Sequence, residues 1–182
     1  MTTQQPHAPF VLDTHELGRR PGTSLRVRRT LPAPEQLVVG LAGVPADAEL
    51  TCDLQLEAVM EGVYVGLTTR APVRAECARC LDEITTSVDV DVHELFVYDP
   101  ADADEDTRVM HGDEIDLEPT LRDGIALALP ATLLCSDDCP GLCPDCGARL
   151  ADEPEHTHDA PIDPRWSALS GLATDTTTAE ES

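Results

Sequence analysis

The chain contains no lysine. All twelve basic side chains are Arg and face 35 acidic ones, for a formal net charge of −23. A protein that coats nucleic acid neutralises phosphates with clustered cations, so this balance argues against that class and favours basic partners. Aromatic residues are equally scarce at 3%, which leaves Val, Leu, Ala and Ile to build the core. No long hydrophobic run occurs either. The longest, Gly124 to Leu134, is broken by Pro130 and falls far short of the roughly 20 residues that span a membrane. Met1 to Pro9 is polar, without the basic leader, apolar stretch or cleavage site of a secretory signal. A cytoplasmic protein is expected. Its 182 residues suit one domain with tails.

What the chain does have is cysteine, seven of them. In a reducing compartment these point to metal or redox chemistry more than to disulfides.

Residues 1–9 read as a flexible leader. From Phe10 to Tyr98 the pattern is strand-like. Leu50, Cys52, Leu54 and Leu56 alternate with polar residues, the period-2 signature of a half-buried strand. Gly62 marks a turn, and Val63, Val65 and Leu67 resume the alternation as the second arm of a hairpin. Thr86, Val88, Val90 and Val92 alternate against Asp89, Asp91 and His93. Shorter candidates are Phe10–Leu17, Leu25–Leu31 and Leu37–Leu41. From Asp99 to Glu118 nine acids and one Arg follow without periodicity, which predicts an acidic mobile loop over 99–115. Leu117, Leu121, Ile125 and Leu129 then recur at helical spacing. Asp116 stands as N-cap, Pro119 in the first turn and Pro130 as terminator. A short helix is expected to start at Asp163-Pro164-Arg165-Trp166, and 173–182 reads as a disordered Thr/Glu-rich tail.

The chemistry lies in Cys77-Ala-Arg-Cys80 and in Cys135-x-x-x-Cys139-Pro-Gly-Leu-Cys143-Pro-Asp-Cys146-Gly147. Two Cys separated by two residues can aim both sulfurs at one cation through a tight turn, and a following Gly lets backbone N–H groups approach the thiolates. Cys143–Gly147 has that Gly; Cys77–Cys80 lacks it but falls between strands. Thiolate-rich tetrahedral sites select zinc, less often iron–sulfur. With His156 and His158 the clustered cysteines make eight candidate ligands, enough for one or two structural zinc ions. One partition joins Cys77, Cys80, Cys135 and Cys139, and separately Cys143, Cys146, His156 and His158. Another holds a single ion by Cys77, Cys80, Cys143 and Cys146. Closed four-ligand sites of either kind are structural.

Plainer readings apply elsewhere. Cys52 lies on the apolar face of a strand and reads as a small core residue. His156 and His158 sit in an acidic, Pro-flanked linker where solvated imidazoles are common. His7, His15, His93 and His111 have no spacing partner and read as surface or turn residues. Cys77 does not head a helix in a βαβ pattern, where a redox thiolate is stabilised. No phosphate loop, His-Glu-x-x-His helix or nucleophile elbow occurs. Arg19, Arg20, Arg26, Arg28 and Arg29 make the N-terminal stretch locally positive. They read as strand-edge charges or as partners of the acidic loop, with RNA phosphate as the other possibility.

The order of these parts resembles the YceD family. The parts that carry the likeness are Cys77–Leu81, Glu114–Leu117, Leu117–Pro130, Cys135–Gly147 and Asp163–Leu172. Relatives often carry Cys-x-Cys where this chain has His156-Thr-His158, and some lack the Gly-Leu-Cys-Pro-x-Cys-Gly knuckle. The resemblance implies a bacterial or plastid protein needed for accumulation of large-subunit ribosomal RNA. It also implies a gene often beside that of a small zinc-ribbon ribosomal protein, and no attached enzymatic activity.

The expected fold is α+β: a β-rich body, one main amphipathic helix and a Cys-rich, zinc-stapled segment over 135–158, within a single YceD-like domain at 10–172. The expected function is a non-enzymatic ribosome-biogenesis factor. It would support large-subunit rRNA accumulation or maturation as an acidic adaptor for a basic ribosomal protein or for pre-rRNA. A zinc-dependent nuclease acting on pre-rRNA and a thiol redox protein are the competing classes.

Overall fold

The computed structural model describes residues 9–103, 107–158 and 165. The chain divides into two compact units, Met1–Gly141 and Leu142–Ser182, where one domain over 10–172 was expected. Within the second unit, Cys143, Cys146, His156 and His158 converge on one another, as described below.

In the first unit the long alternations become long strands. Strand order along the chain is β1 (Val11–Asp13), β2 (Ser24–Pro32), β3 (Val38–Val39), β4 (Ala42–Gly43), β5 (Glu49–Ala58), β6 (Gly62–Glu76), β7 (Glu83–Val97), β8 (Arg108–Val109) and β9 (Glu114–Asp116), followed by α1 (Glu118–Ala128). Every second residue of β5 from Leu50 to Ala58 is buried and the intervening ones are exposed, as period 2 requires when one face meets a core. β6 and β7 pair antiparallel along their whole length, from Gly62↔Val97 to Glu76↔Glu83. The other edge of β6 carries β5 and then β4, with β2 beyond β5 and β3 beyond β4. β8 adds parallel to the end of β7. β1 and β9 form a separate two-stranded sheet.

One face of the large sheet is apolar. Leu50, Cys52, Leu54, Leu56, Val63, Val65, Leu67 and Phe96 are buried there, so Cys52 is a core residue. α1 packs on β7 and buries Leu121 and Ile125, with Leu117 and Leu129 buried at its two ends. Gly124 faces β7 so closely that a Cβ would run into the Val92 side chain. Asp116 acts at the helix start, its carboxylate accepting the Glu118 N–H at 3.0 Å, while Leu117 occupies the N-cap position itself.

The structure corrects three expectations here. Residues 99–115, expected to be a mobile loop, hold a 3-10 turn at Pro100–Asp102, then β8 and the start of β9. Met110 and Ile115 within them are buried. Elements of two or three residues are too short to show a period. Phe10–Leu17 yields only β1 and then a turn closed by the Leu17 N–H on the Thr14 carbonyl. Leu37–Leu41 is split into the β3–β4 hairpin by Gly40, whose φ is +60°. Two N-terminal Arg find acidic partners, Arg28 on Asp53 at 2.6 Å and Arg19 on Asp113 at 3.1 Å. The leader before Pro9, the segment Asp163–Leu172 apart from Arg165, the tail 173–182 and His7 lie outside the described residues. Among the described residues no helix is long and apolar enough to cross a membrane.

Candidate metal centres

In the first unit Cys77 follows β6 and Cys80 ends the turn that leads into β7, while Cys135 and Cys139 come from the segment after α1. A main-chain and a side-chain hydrogen bond dock that segment. The Ala78 N–H donates to the Leu133 carbonyl at 2.9 Å, and Arg79 Nη1 donates to the Cys139 carbonyl at 2.9 Å. Cys77 Sγ lies 3.8 Å from Cys139 Sγ, and Cys80 Sγ lies 3.6 Å from Cys135 Sγ. A tetrahedral site with metal–sulfur bonds of zinc length separates its sulfurs by about 3.8 Å. The four side chains therefore fit such an ion. Cys77, Cys80 and Cys139 are buried and Cys135 is exposed.

The two Cys-x-x-Cys turns share one geometry. Leu81 N–H closes on the Cys77 carbonyl at 2.9 Å, and Gly147 N–H closes on the Cys143 carbonyl at 2.8 Å. The residue after the second Cys is left-handed in both, with φ +63° at Leu81 and +75° at Gly147. Glycine is the usual occupant because a Cβ is strained in that region. The first knuckle thus places a Leu, 54% exposed, where its counterpart has Gly. Leu81→Gly is expected to stabilise the fold by roughly 0.5–1 kcal/mol, the left-handed strain less the extra chain entropy of Gly. A urea midpoint that falls instead would show that the Leu side chain outweighs its backbone strain.

The turns also explain the thiol acidities. Backbone N–H groups of Cys80, then of Arg79 and Cys135, hold the Cys77 thiol down to about 6 against its burial. The N–H groups of Cys146 and Asp145 do the same for Cys143, also to about 6. Cys80 is pushed up to about 11: the Asp82 amide pulls it down, but burial and the neighbouring Cys77 and Cys135 outweigh that pull. Each knuckle therefore presents one ready thiolate, the form that binds a metal ion, and full ligation releases the remaining protons.

In the second unit Cys143, Cys146, His156 and His158 converge, their ligand atoms all within 4.8 Å of one another. His156 Nε2 and His158 Nε2 lie 2.9 Å apart, each 3.2 Å from Cys146 Sγ. Thr157 alone separates the two imidazoles, whose rings meet edge to face with centroids 4.6 Å apart. Cys143 and then Glu153 hold His156 above its ordinary pKa. Glu153 Oε2 sits 3.0 Å from His156 Nδ1, the carboxylate–histidine pairing that orients a ligating imidazole.

All eight residues named from the sequence thus fall into two quartets, each within one unit, and each quartet could hold a metal ion. Glu153 and Arg79 escaped the sequence reading. Glu153 stands three residues before His156, which was the available signal, whereas Arg79 was seen only as part of Cys77-Ala-Arg-Cys80 and gained its role when the Cys139 segment was placed beside it. His15 approaches Asp113 at 3.5 Å, His111 bridges to Glu114, and His93 stacks on Tyr64.

Among the described residues, a mostly β body with one helix and two Cys or Cys/His quartets that could each hold a metal ion defines the class. The chain belongs to the YceD family: the sequence model described as "Large ribosomal RNA subunit accumulation protein YceD" matches residues 65–173. It is 42% identical over 175 residues to an uncharacterized protein of Mycobacterium tuberculosis, covering 92% of this chain and 84% of that one. An uncharacterized protein of Mycobacterium leprae is 38% identical over 179 residues, covering 93% and 81%. The uncharacterized protein YlbN of Bacillus subtilis is 28% identical over 99 residues, 53% of this chain and 58% of that protein. No solved structure matches the chain. The family description names accumulation of large-subunit rRNA and no chemical reaction.

Proposed function

We propose that the protein is a non-enzymatic, cytoplasmic ribosome-biogenesis factor that supports accumulation or maturation of large-subunit rRNA. In this reading two structural zinc ions staple it and its acidic surface carries a basic large-subunit ribosomal protein. The observation that carries the non-enzymatic part is that each quartet offers four protein ligands. A tetrahedral ion held by four protein atoms keeps no open position for water or substrate. A nuclease would need one. A thiol redox role is the weaker alternative, because the amides that lower Cys77 belong to a turn after a strand rather than to a helix head. The family supplies the process. The net charge of −23 supplies the partner chemistry, since basic, partly unfolded ribosomal proteins are attracted by it and RNA is repelled overall, which confines any direct RNA contact to the Arg-rich N-terminal strands.

Depletion of the gene tests this reading. Large-subunit rRNA is expected to fall relative to small-subunit rRNA, with unprocessed precursor ends. Wild type should rescue the loss and Cys77→Ser/Cys80→Ser should not. Unchanged rRNA levels and ends would sink the proposal. Purified protein that ignored basic ribosomal proteins would sink its adaptor part.

A further inference from the structure

The face of the large sheet opposite the core carries a concavity that neither quartet uses. Its volume is about 680 Å³, within the range of small-ligand sites. Register explains it. Arg26, Gln55, Gly66 and His93 stand side by side across β2, β5, β6 and β7. Gly66 has no side chain to fill the row, and a Cβ there would come within 3.1 Å of the His93 ring. Tyr64, two residues along the same face of β6, stacks on His93 with ring centroids 5.7 Å apart and planes 8° from parallel. One wall is thus a pair of parallel rings, the opposite wall is Arg26 and Arg28, and the Gln55 amide lies between.

The charges on these walls are unequally available. Arg28 is bidentate on Asp53, at 2.6 and 3.1 Å, and Asp91 lies 3.3 Å from His93 Nε2. Arg26 has no ion-pair partner among the described residues. A cation entering this space meets a free guanidinium and finds two carboxylates already engaged, with Glu57 at the rim. An unpaired base with its phosphate meets what it needs instead: a ring face for stacking, an amide for a base edge, and an uncommitted guanidinium for the phosphate.

We propose that this concavity seats one unpaired nucleotide of single-stranded RNA, its base stacked on Tyr64 and its phosphate on Arg26. The proposal rests on the rRNA role above for the source of the strand and is independent of the adaptor part. The surrounding negative charge confines contact to about one phosphate. Log affinity should therefore fall against log salt with a slope of only about −0.7, the single-strand value per phosphate.

Fluorescence anisotropy with the full chain and a labelled penta-adenylate tests it. Wild type should bind the single strand and not a labelled RNA hairpin whose adenylates are all paired in a stable stem. Tyr64→Ala should weaken binding roughly 5- to 150-fold, the equivalent of one stacked base. Tyr64→Phe should retain it, and Arg26→Gln should weaken it and flatten the salt slope. Tyr64 is 42% exposed, so these variants should melt like wild type. Adenosine monophosphate carries the same base and one phosphate and should compete about as well, per nucleotide, as the strand. A monophosphate that fails to compete overturns the one-nucleotide contact, and one that competes more than about tenfold better per nucleotide overturns the RNA assignment in favour of a free nucleotide. Equal binding of single strand and hairpin, or binding that Tyr64→Ala and Arg26→Gln leave unchanged, overturns the site while the rRNA role stands. An Arg-rich peptide that binds in place of RNA and is lost with Tyr64→Ala also overturns it, in favour of a docking site for the basic partner.

Discussion

Replacing Cys77 and Cys80 together by Ser is expected to lower the zinc content from about two ions per chain to about one. It should also release the segment that carries Cys135 and Cys139. Ser oxygens are poor zinc ligands at neutral pH, and the remaining pair cannot close a tetrahedron. Apparent binding energies of structural zinc, about 10–16 kcal/mol in small domains, match the whole stability of a typical domain, about 5–15 kcal/mol. The loss should therefore be visible without denaturant. The Ala78 and Cys135 amides, which bond to the Leu133 carbonyl and to Cys77 Sγ, should lose hydrogen-exchange protection. The second ion should remain, because Cys143, Cys146, His156 and His158 all belong to Leu142–Ser182. Cys143→Ser/Cys146→Ser should show the converse. Metal analysis on protein purified without an affinity tag decides it. One ion in the wild type, lost with either double substitution, would favour the single-site partition through Cys77, Cys80, Cys143 and Cys146.

Phe96→Ala should cost about 3–5 kcal/mol, the largest loss expected from any single substitution in the sheet core. Phe96 is 1% exposed and stands opposite Val63 where β6 and β7 begin their pairing. In a chain with two Phe in all, few large rings can collapse into the void. Truncation therefore loses both the transfer energy of the ring and the contacts around the cavity. Phe96→Leu keeps most of the volume and should cost under about 1.5 kcal/mol. Urea midpoints at unchanged slope would separate the two. A loss below about 1 kcal/mol for Phe96→Ala would mean that the ring contributes little to the core.

The apolar alternation in β5, β6 and β7 was legible because long strands with one buried face must alternate. α1 was legible because its Leu and Ile recur at helical spacing. β1 was legible only as part of the longer candidate Phe10–Leu17, and β8 and β9 were not, since two or three residues carry no period and their pairing is decided by distant partners such as Asp113 and Thr14. The eight candidate ligands could be named one by one, because a thiol or imidazole at short spacing is a local property. Their grouping could be narrowed to two partitions but not decided between them. Cys77 and Cys139 are 62 residues apart in sequence, and only the docking of the segment after α1 on the turn between β6 and β7 brings their sulfurs together.

The same division holds at single residues. That Cys80 is followed by Leu where Cys146 is followed by Gly is plain in the sequence, and made the first knuckle look the poorer one. The backbone takes the same left-handed turn in both, and with it the Asp82 carbonyl comes back to accept the Cys77 N–H and the Ala148 carbonyl to accept the Cys143 N–H, each at 2.8 Å. The concavity on the outer face is wholly a product of register. Arg26, Gln55, Gly66 and His93 have no relation along the chain and become neighbours only when four strands pair. By itself the sequence determined the acidic character, the lack of a membrane-length apolar run, the strand and helix periods and the identity of the candidate ligands. Tertiary structure decided which ligands share a site and which polar side chains share a face, because both depend on contacts across tens of residues that no local pattern encodes.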